Sequence, residues 1–245
     1  MGIMRSTLHY LVESNMLRLL LVGLASAAVM TPAWAKEGVA LAGVEASRDN
    51  QYAYLGTVLP FAGQNLGQGF VQRYWLDYVA YRYEKTPLQE IEARVSAVEA
   101  ALGYQQSNAS GWWGAYLGAR YANTRLSPSD PDNDDRGGRL RAKLQLEGET
   151  EVGAGWRVNG IASHLVGDAN YWARLRLQTT LRNQWHIGPE VIGQGDPNYS
   201  AYKVGAFLGN IKLGASSALT LKAGVSKPED ASASLYAGAE FYIPF

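Results

Sequence analysis

Polar and apolar residues alternate along much of this chain. In 139–152, RLRAKLQLEGETEV, the odd positions carry Arg139, Arg141, Lys143, Gln145, Glu147, Glu149 and Glu151. The even positions carry Leu140, Ala142, Leu144, Leu146, Gly148, Thr150 and Val152. Successive strand side chains point to opposite faces, so this segment predicts a strand with one polar and one apolar face. A helix would scatter the same charges around its circumference. The pattern returns in 171–182, where Arg174, Arg176, Gln178, Thr180 and Arg182 oppose Ala173, Leu175, Leu177, Thr179 and Leu181. It returns again in 113–121, 200–209, 217–226 and 234–245. Weaker alternation marks 39–47, 51–59, 69–82, 156–166 and 185–193.

One segment disagrees. Residues 88–102, LQEIEARVSAVEAAL, have the composition of an amphipathic helix. The hairpins on both sides argue for a strand there, which brings the expected count to about twelve. The connections at 48–50, 83–90, 126–138, 167–170, 194–199 and 227–233 would share one end and carry the longer polar loops. Gly-containing turns near 153–155 and 183–184 would mark the other end, with longer ones near 60–67, 106–110 and 210–216. Trp112, Trp113, Trp156 and Trp185 sit at strand starts and Trp172 at an opposite strand end, as in the aromatic girdles of membrane barrels.

The fold expected is all-β: a transmembrane antiparallel up-and-down β-barrel. In lipid every backbone N–H and C=O needs a partner within the protein, and a closed sheet of two-faced strands supplies it. A soluble β-sandwich is the alternative, with the polar faces turned to water. Phe241, Ile243 and Phe245 share the outward face of the last strand and resemble the terminal signal read by barrel-assembly machinery. Pro244 would face the lumen, where a missing N–H matters less.

Composition narrows the picture. The 245 residues include 22 Lys plus Arg, 22 Asp plus Glu and no Cys. Disulfides, thiolate metal sites, Cys nucleophiles and lipoprotein acylation are therefore excluded. A neutral chain is not held to nucleic acid by its overall charge. Residues 1–35 read as a secretory signal peptide, with an h-region from Leu19 to Met30 and Ala33-Trp34-Ala35 as the cleavage site. Met16 is an alternative start. The expected organisation is thus a leader followed by one barrel domain over 36–245.

Candidate chemistry is sparse. His164 follows Ser163, so the two point to opposite faces and make no base–nucleophile pair. His186 and Glu190 would stand about 13 Å apart on one face. Glu147 and Glu149, about 7 Å apart, overlap the carboxylate separations of glycoside hydrolysis, but fit lumen charges paired with neighbouring strands. Asp130, Asp132 and Asp134 alternate like a calcium loop, yet Asp135 and Arg141 occupy the positions that need Gly and Glu. No metal, cofactor or catalytic residue is expected. Arg139, Arg141, Lys143, Arg174, Arg176 and Arg182 would form a basic stripe in the lumen. It serves either as a track for sugars or anions, or as one half of internal salt bridges with Glu147, Glu149, Glu190 and Glu240. Trp75, Tyr81, Tyr116 and Tyr236 are the lumen aromatics on which a glucan would stack.

Several segments together resemble a known family. They are Gly111-Trp-Trp-Gly-Ala-Tyr-Leu-Gly-Ala with Thr124-Arg-Leu-Ser-Pro-Ser-Asp-Pro, Trp156-Arg-Val-Asn-Gly-Ile-Ala-Ser, Tyr171-Trp-Ala-Arg-Leu-Arg-Leu, and Ile187-Gly-Pro-Glu-Val-Ile-Gly-Gln-Gly-Asp-Pro. The ordered series resembles the cellulose biosynthesis protein BcsS family of proteobacteria, best over 111–209. The resemblance implies an outer-membrane protein linked to cellulose production and brings no catalytic motif. Its expected partners are outer-membrane lipid, the barrel-assembly machinery, and cellulose export components or glucan. Two other functions compete: a narrow channel for acidic oligosaccharides or anions, and a lipid-modifying enzyme.

Overall fold

The computed structural model describes residues 38–245, apart from 49, 87, 168, 198 and 230. The signal-peptide expectation for 1–35 lies outside the described residues. Twelve strands run in order: β1 (Val39–Ser47), β2 (Asn50–Pro60), β3 (Gln68–Thr86), β4 (Gln89–Asn108), β5 (Gly111–Ser127), β6 (Gly137–Gly153), β7 (Trp156–Leu165), β8 (Tyr171–Thr180), β9 (His186–Asp196), β10 (Tyr199–Leu213), β11 (Ser217–Pro228) and β12 (Ser234–Pro244). Each pairs antiparallel with its chain neighbours, and β12 pairs with β1, so the sheet closes into a barrel. Gly38 and Phe245 extend the closing seam by exchanging backbone hydrogen bonds of 2.8 and 2.9 Å.

The registers displace the sheet by about 14 residues over one circuit, its shear. With strands about 4.8 Å apart and about 3.3 Å per residue, that shear gives a tilt of about 40° and a backbone radius of about 12 Å. β7 and β8 have 10 residues each, which at that tilt cover about 25 Å, the height of the apolar band of a membrane barrel. β3 and β4 have 19 and 20 residues and so rise well beyond the others, away from the termini.

The helix-like segment 88–102 is strand, in β4. Ala93, Ala97 and Ala101 face inward while Val98 and Leu102 face outward, exposed. Hydrogen-bonded neighbours on both sides override its helix propensity. The expected loop asymmetry is weaker than the sequence suggested. β3 and β4 continue to a short connection at 87–88 in place of a loop over 83–90, and β5 and β6 leave only 128–136 in place of 126–138. Likewise 106–110 shrinks to 109–110 and 210–216 to 214–216. Ladder hydrogen bonds satisfy backbone groups that a loop would leave to water, so the pairing runs on.

The outer surface is apolar. Leu102, Leu117, Leu140, Leu146, Leu175 and Leu235 are all more than half exposed. Apolar side chains this abundant on every outward face match a lipid-covered wall, not a soluble surface. Trp113 and Trp156 face outward at the termini end, as expected of a girdle. Trp112 and Trp172 differ: their register partners Glu149 and Gln194 place both on the inner face. Inside, at the termini end, Val39, Val58, Val71, Ala101 and Tyr116 form a buried apolar cluster, joined by Leu41 and by Leu66 from the β2–β3 connection.

Candidate functional site in the barrel interior

The inward parity of each strand sends most of its charges into the lumen, where they meet in two networks. The first joins β1 and β8–β12. Glu240 accepts from Arg174 and Arg176, each at 3.0 Å, and pairs with Lys222 at 3.1 Å. Lys222 also reaches Glu45 at 2.6 Å, and Glu45 pairs with Lys203 as well. Arg176 continues to Glu190 at 2.5 Å, and Glu190 accepts from the Tyr236 hydroxyl at 3.2 Å. The Glu190 side chain is 0% exposed and that of Lys203 1%. Burying such charges costs several kcal/mol each, and only multiple partners with good geometry offset it.

The second network joins β3–β6. Glu99 takes Arg73 and, at 2.6 Å, Lys143, while Asp77 takes Arg120 at 2.6 Å. Glu147 accepts from the Tyr116 hydroxyl at 2.6 Å and from Gln145 at 2.9 Å. Glu149 lies apart, held by Arg157 at 2.5 Å and Gln178 at 2.9 Å.

At the far end the 128–136 connection folds inward. Lys85 binds Asp130 and, at 2.7 Å, Asp132. Tyr83 donates to Asp130 at 2.8 Å and accepts from Asn133 at 2.9 Å. The hydrogen bond from Lys85 is the main reason the Asp130 carboxyl lies below its ordinary pKa, against the opposing push of desolvation. An ammonium thus occupies the would-be calcium loop. Tyr81 of β3 and Tyr199 of β10 meet with ring centroids 5.2 Å apart. Four strands separate them around the ring by the shorter way, so this contact crosses the lumen.

A cavity of about 470 Å³ lies among these groups. Trp75 and Tyr81 line it, as do Trp172 and Tyr199. The Trp75 ring lies over Gly56, whose missing Cβ makes the room, with Tyr54 stacked at 4.7 Å and the Arg73 guanidinium 4.1 Å away. Tyr116 and Tyr236 are buried deeper and bonded to carboxylates. The four candidate aromatics therefore all face inward, but only two reach the cavity.

The basic stripe is assembled only in part. Arg174 and Arg176 pair with Glu240 and Glu190, as the salt-bridge alternative expected. Lys143 takes Glu99 and Arg141 takes Asp135 at 2.8 Å, while Glu147 and Glu149 bind other residues. Arg139 is exposed beyond the networks, and Arg182 falls outside β8, exposed in the 181–185 turn. The alternation that included Arg182 ends because the strand gives way to a turn closed by Leu181 and Trp185. Sequence reasoning passed over Lys203, Lys222, Glu45 and Arg73, and placed Trp172 in the girdle instead of the lumen. Their inward parity was the available signal. His164 is exposed on the outer face, opposite Ser163. Phe241 and Ile243 alternate with inward Glu240 and Tyr242, and Phe245 lies at the seam.

The family model for cellulose biosynthesis protein BcsS matches residues 39–245, the whole barrel. The chain belongs to the BcsS family. No curated protein matches it. Among solved structures, this BcsS-family chain is similar to one from work on in-meso crystallization of membrane proteins (TM-score 0.51, 10% identity, 85% of this chain and 84% of that one). It is also similar to the COG4313 outer membrane channel from Pseudomonas putida F1 (TM-score 0.49, 13% identity, 88% and 97%). A third is a KdgM porin (TM-score 0.46, 11% identity, 84% and 99%). The first of these supports the fold and nothing finer.

Proposed function

We propose that this chain is a non-enzymatic outer-membrane β-barrel that assists bacterial cellulose biosynthesis or export. Membership of the BcsS family across the whole barrel carries the reading. The apolar outer wall and closed seam suit residence in the outer membrane, with delivery by the barrel-assembly machinery through Phe241, Ile243 and Phe245. The interior carboxylates and cations hold one another, which suits a structural and binding interior better than one that shuttles protons for hydrolysis. The same pairing argues against a free basic track for anions. Partners on this reading are lipid, cellulose export components and glucan, with no nucleic acid.

The test is a deletion strain. Loss or disorganisation of secreted cellulose, restored by the full chain from a plasmid, is the expected result. Cellulose unchanged in amount and architecture overturns the proposal. Purified barrel that alters lipid A or phospholipid, read by mass spectrometry, would overturn its non-enzymatic part.

A further inference from the structure

We infer that the 470 Å³ interior cavity is a binding site for a short neutral gluco-oligosaccharide, with Trp172 as its stacking platform. The inference rests on the cellulose reading for the identity of the sugar, and on the cavity for everything else. Its size lies within the about 300–1,000 Å³ of small-molecule sites.

Three features of the wall select the ligand class. The first is charge. Six cations and six carboxylates line the cavity. Most have a partner: Arg120 pairs with Asp77, Lys222 with Glu45 and Glu240, Arg73 and Lys143 with Glu99 behind the wall, and Glu147 is held by Tyr116 and Gln145. Such a wall offers many hydrogen-bonding atoms without a net field, which suits hydroxyl groups and gives an anion no advantage. The second is aromatic surface. Trp75 is already covered by Tyr54 and Arg73, and Tyr81 by Tyr199. Among the described residues, no aromatic ring stacks on Trp172, and the Arg174 guanidinium lies 5.9 Å from its ring centroid. Its indole is half-buried on the inner face of β8 and free to take the apolar face of a pyranose ring. The third is neutral polar groups. Asn170 and Gln194 line the cavity beside Trp172, and Gln194 is its direct register partner on β9. An amide carries both donor and acceptor, the pairing that vicinal hydroxyls require.

At the termini end the lumen is filled on one side. The cluster of Val39, Val58, Val71 and Tyr116 fills the β1–β5 side there. A cavity of about 470 Å³ is sized for a chain end or short oligomer.

Isothermal titration calorimetry on the full barrel in detergent tests this, with cellotetraose and tri-galacturonate as probes. Heat-modifiable electrophoretic mobility checks that each variant is folded. Expected are saturable cellotetraose binding that is insensitive to salt, weaker tri-galacturonate binding, and at least about tenfold weaker cellotetraose binding in Trp172→Ala, because the stacking face is gone. Gln194→Ala, which removes no ring and leaves the networks intact, should weaken binding as well. No binding by the folded barrel overturns the inference, and so does equal affinity in both variants. Tighter tri-galacturonate binding overturns the neutral class. A deletion strain with altered cellulose but a barrel that binds nothing would leave the functional proposal standing and remove this one. Binding with unaltered cellulose would do the reverse.

Discussion

Glu240 is the joint of the first ion network, and its replacement by Gln offers a sharp test of how the interior is held. The change keeps shape and removes one charge. Three cations touch this carboxylate, but their fates differ. Arg176 retains Glu190, and Lys222 retains Glu45. Among the described residues, Arg174 keeps only the Asn159 side chain as a hydrogen-bond partner, at 3.4 Å, and its own side chain is 11% exposed. Breaking a buried pair by removing one partner costs about 3–5 kcal/mol, because a charge is left uncompensated. One stripped cation, not three, puts Glu240→Gln at the low end. A loss of about 3 kcal/mol is expected, on the order of a hundredfold in the folded-to-unfolded ratio. Adding Arg174→Met removes the stranded charge and should recover about 2 kcal/mol, a coupling typical of direct contacts. Equilibrium unfolding in urea from lipid vesicles, followed by tryptophan fluorescence, measures both. The reasoning fails if Glu240→Gln lies within about 0.5 kcal/mol of the parent, the scale of an ordinary surface change. It fails equally if the double variant is no more stable than the single one.

Three further outcomes follow from other parts of the barrel. Gly56→Val would drive a side chain into the Trp75 ring that lies over Gly56; a cost of about 1–3 kcal/mol, with a shifted tryptophan emission, is expected, and an unchanged spectrum and stability would contradict the packing. Leu175→Arg places a charge on the apolar outer wall of β8, 55% exposed before lipid covers it. It should cost about 2–4 kcal/mol if that position lies near the bilayer midplane, and a neutral effect in vesicles would argue against the lipid-facing assignment. The Asp130 carboxyl has a lowered pKa, so the stability it lends to the 128–136 connection is present above its ordinary value of about 3.9 and is lost as pH falls through the lowered one. Hydrogen exchange of that connection should thus stay slow near neutrality and rise only under strong acid, whereas Asp130→Asn should exchange faster at neutral pH; pH-independent protection in the parent would refute this.

The division between sequence and structure runs along the range of the interactions. Alternation is local. Reading 139–152 as two faces requires only that neighbouring strand side chains point apart, so strand count, lipid face and lumen face were legible without a fold. Even 88–102, with the composition of a helix, could be placed by the hairpins around it. Strand ends were less legible, because pairing extends β3 and β4 to 87–88 past residues that suit a loop. Which lumen charges meet is not local at all. Lys203 and Glu45 are 158 positions apart and form an ion pair. Tyr81 and Tyr199 touch across the lumen, and Arg174 finds Glu240 four strands away around the ring. Closure and shear set those partners, by bringing strands distant in sequence to one height. The sequence by itself determined that Arg174 and Arg176 point inward. Only the tertiary structure decided that they are neutralised there, that Trp75 is covered, and that Trp172 lines the cavity.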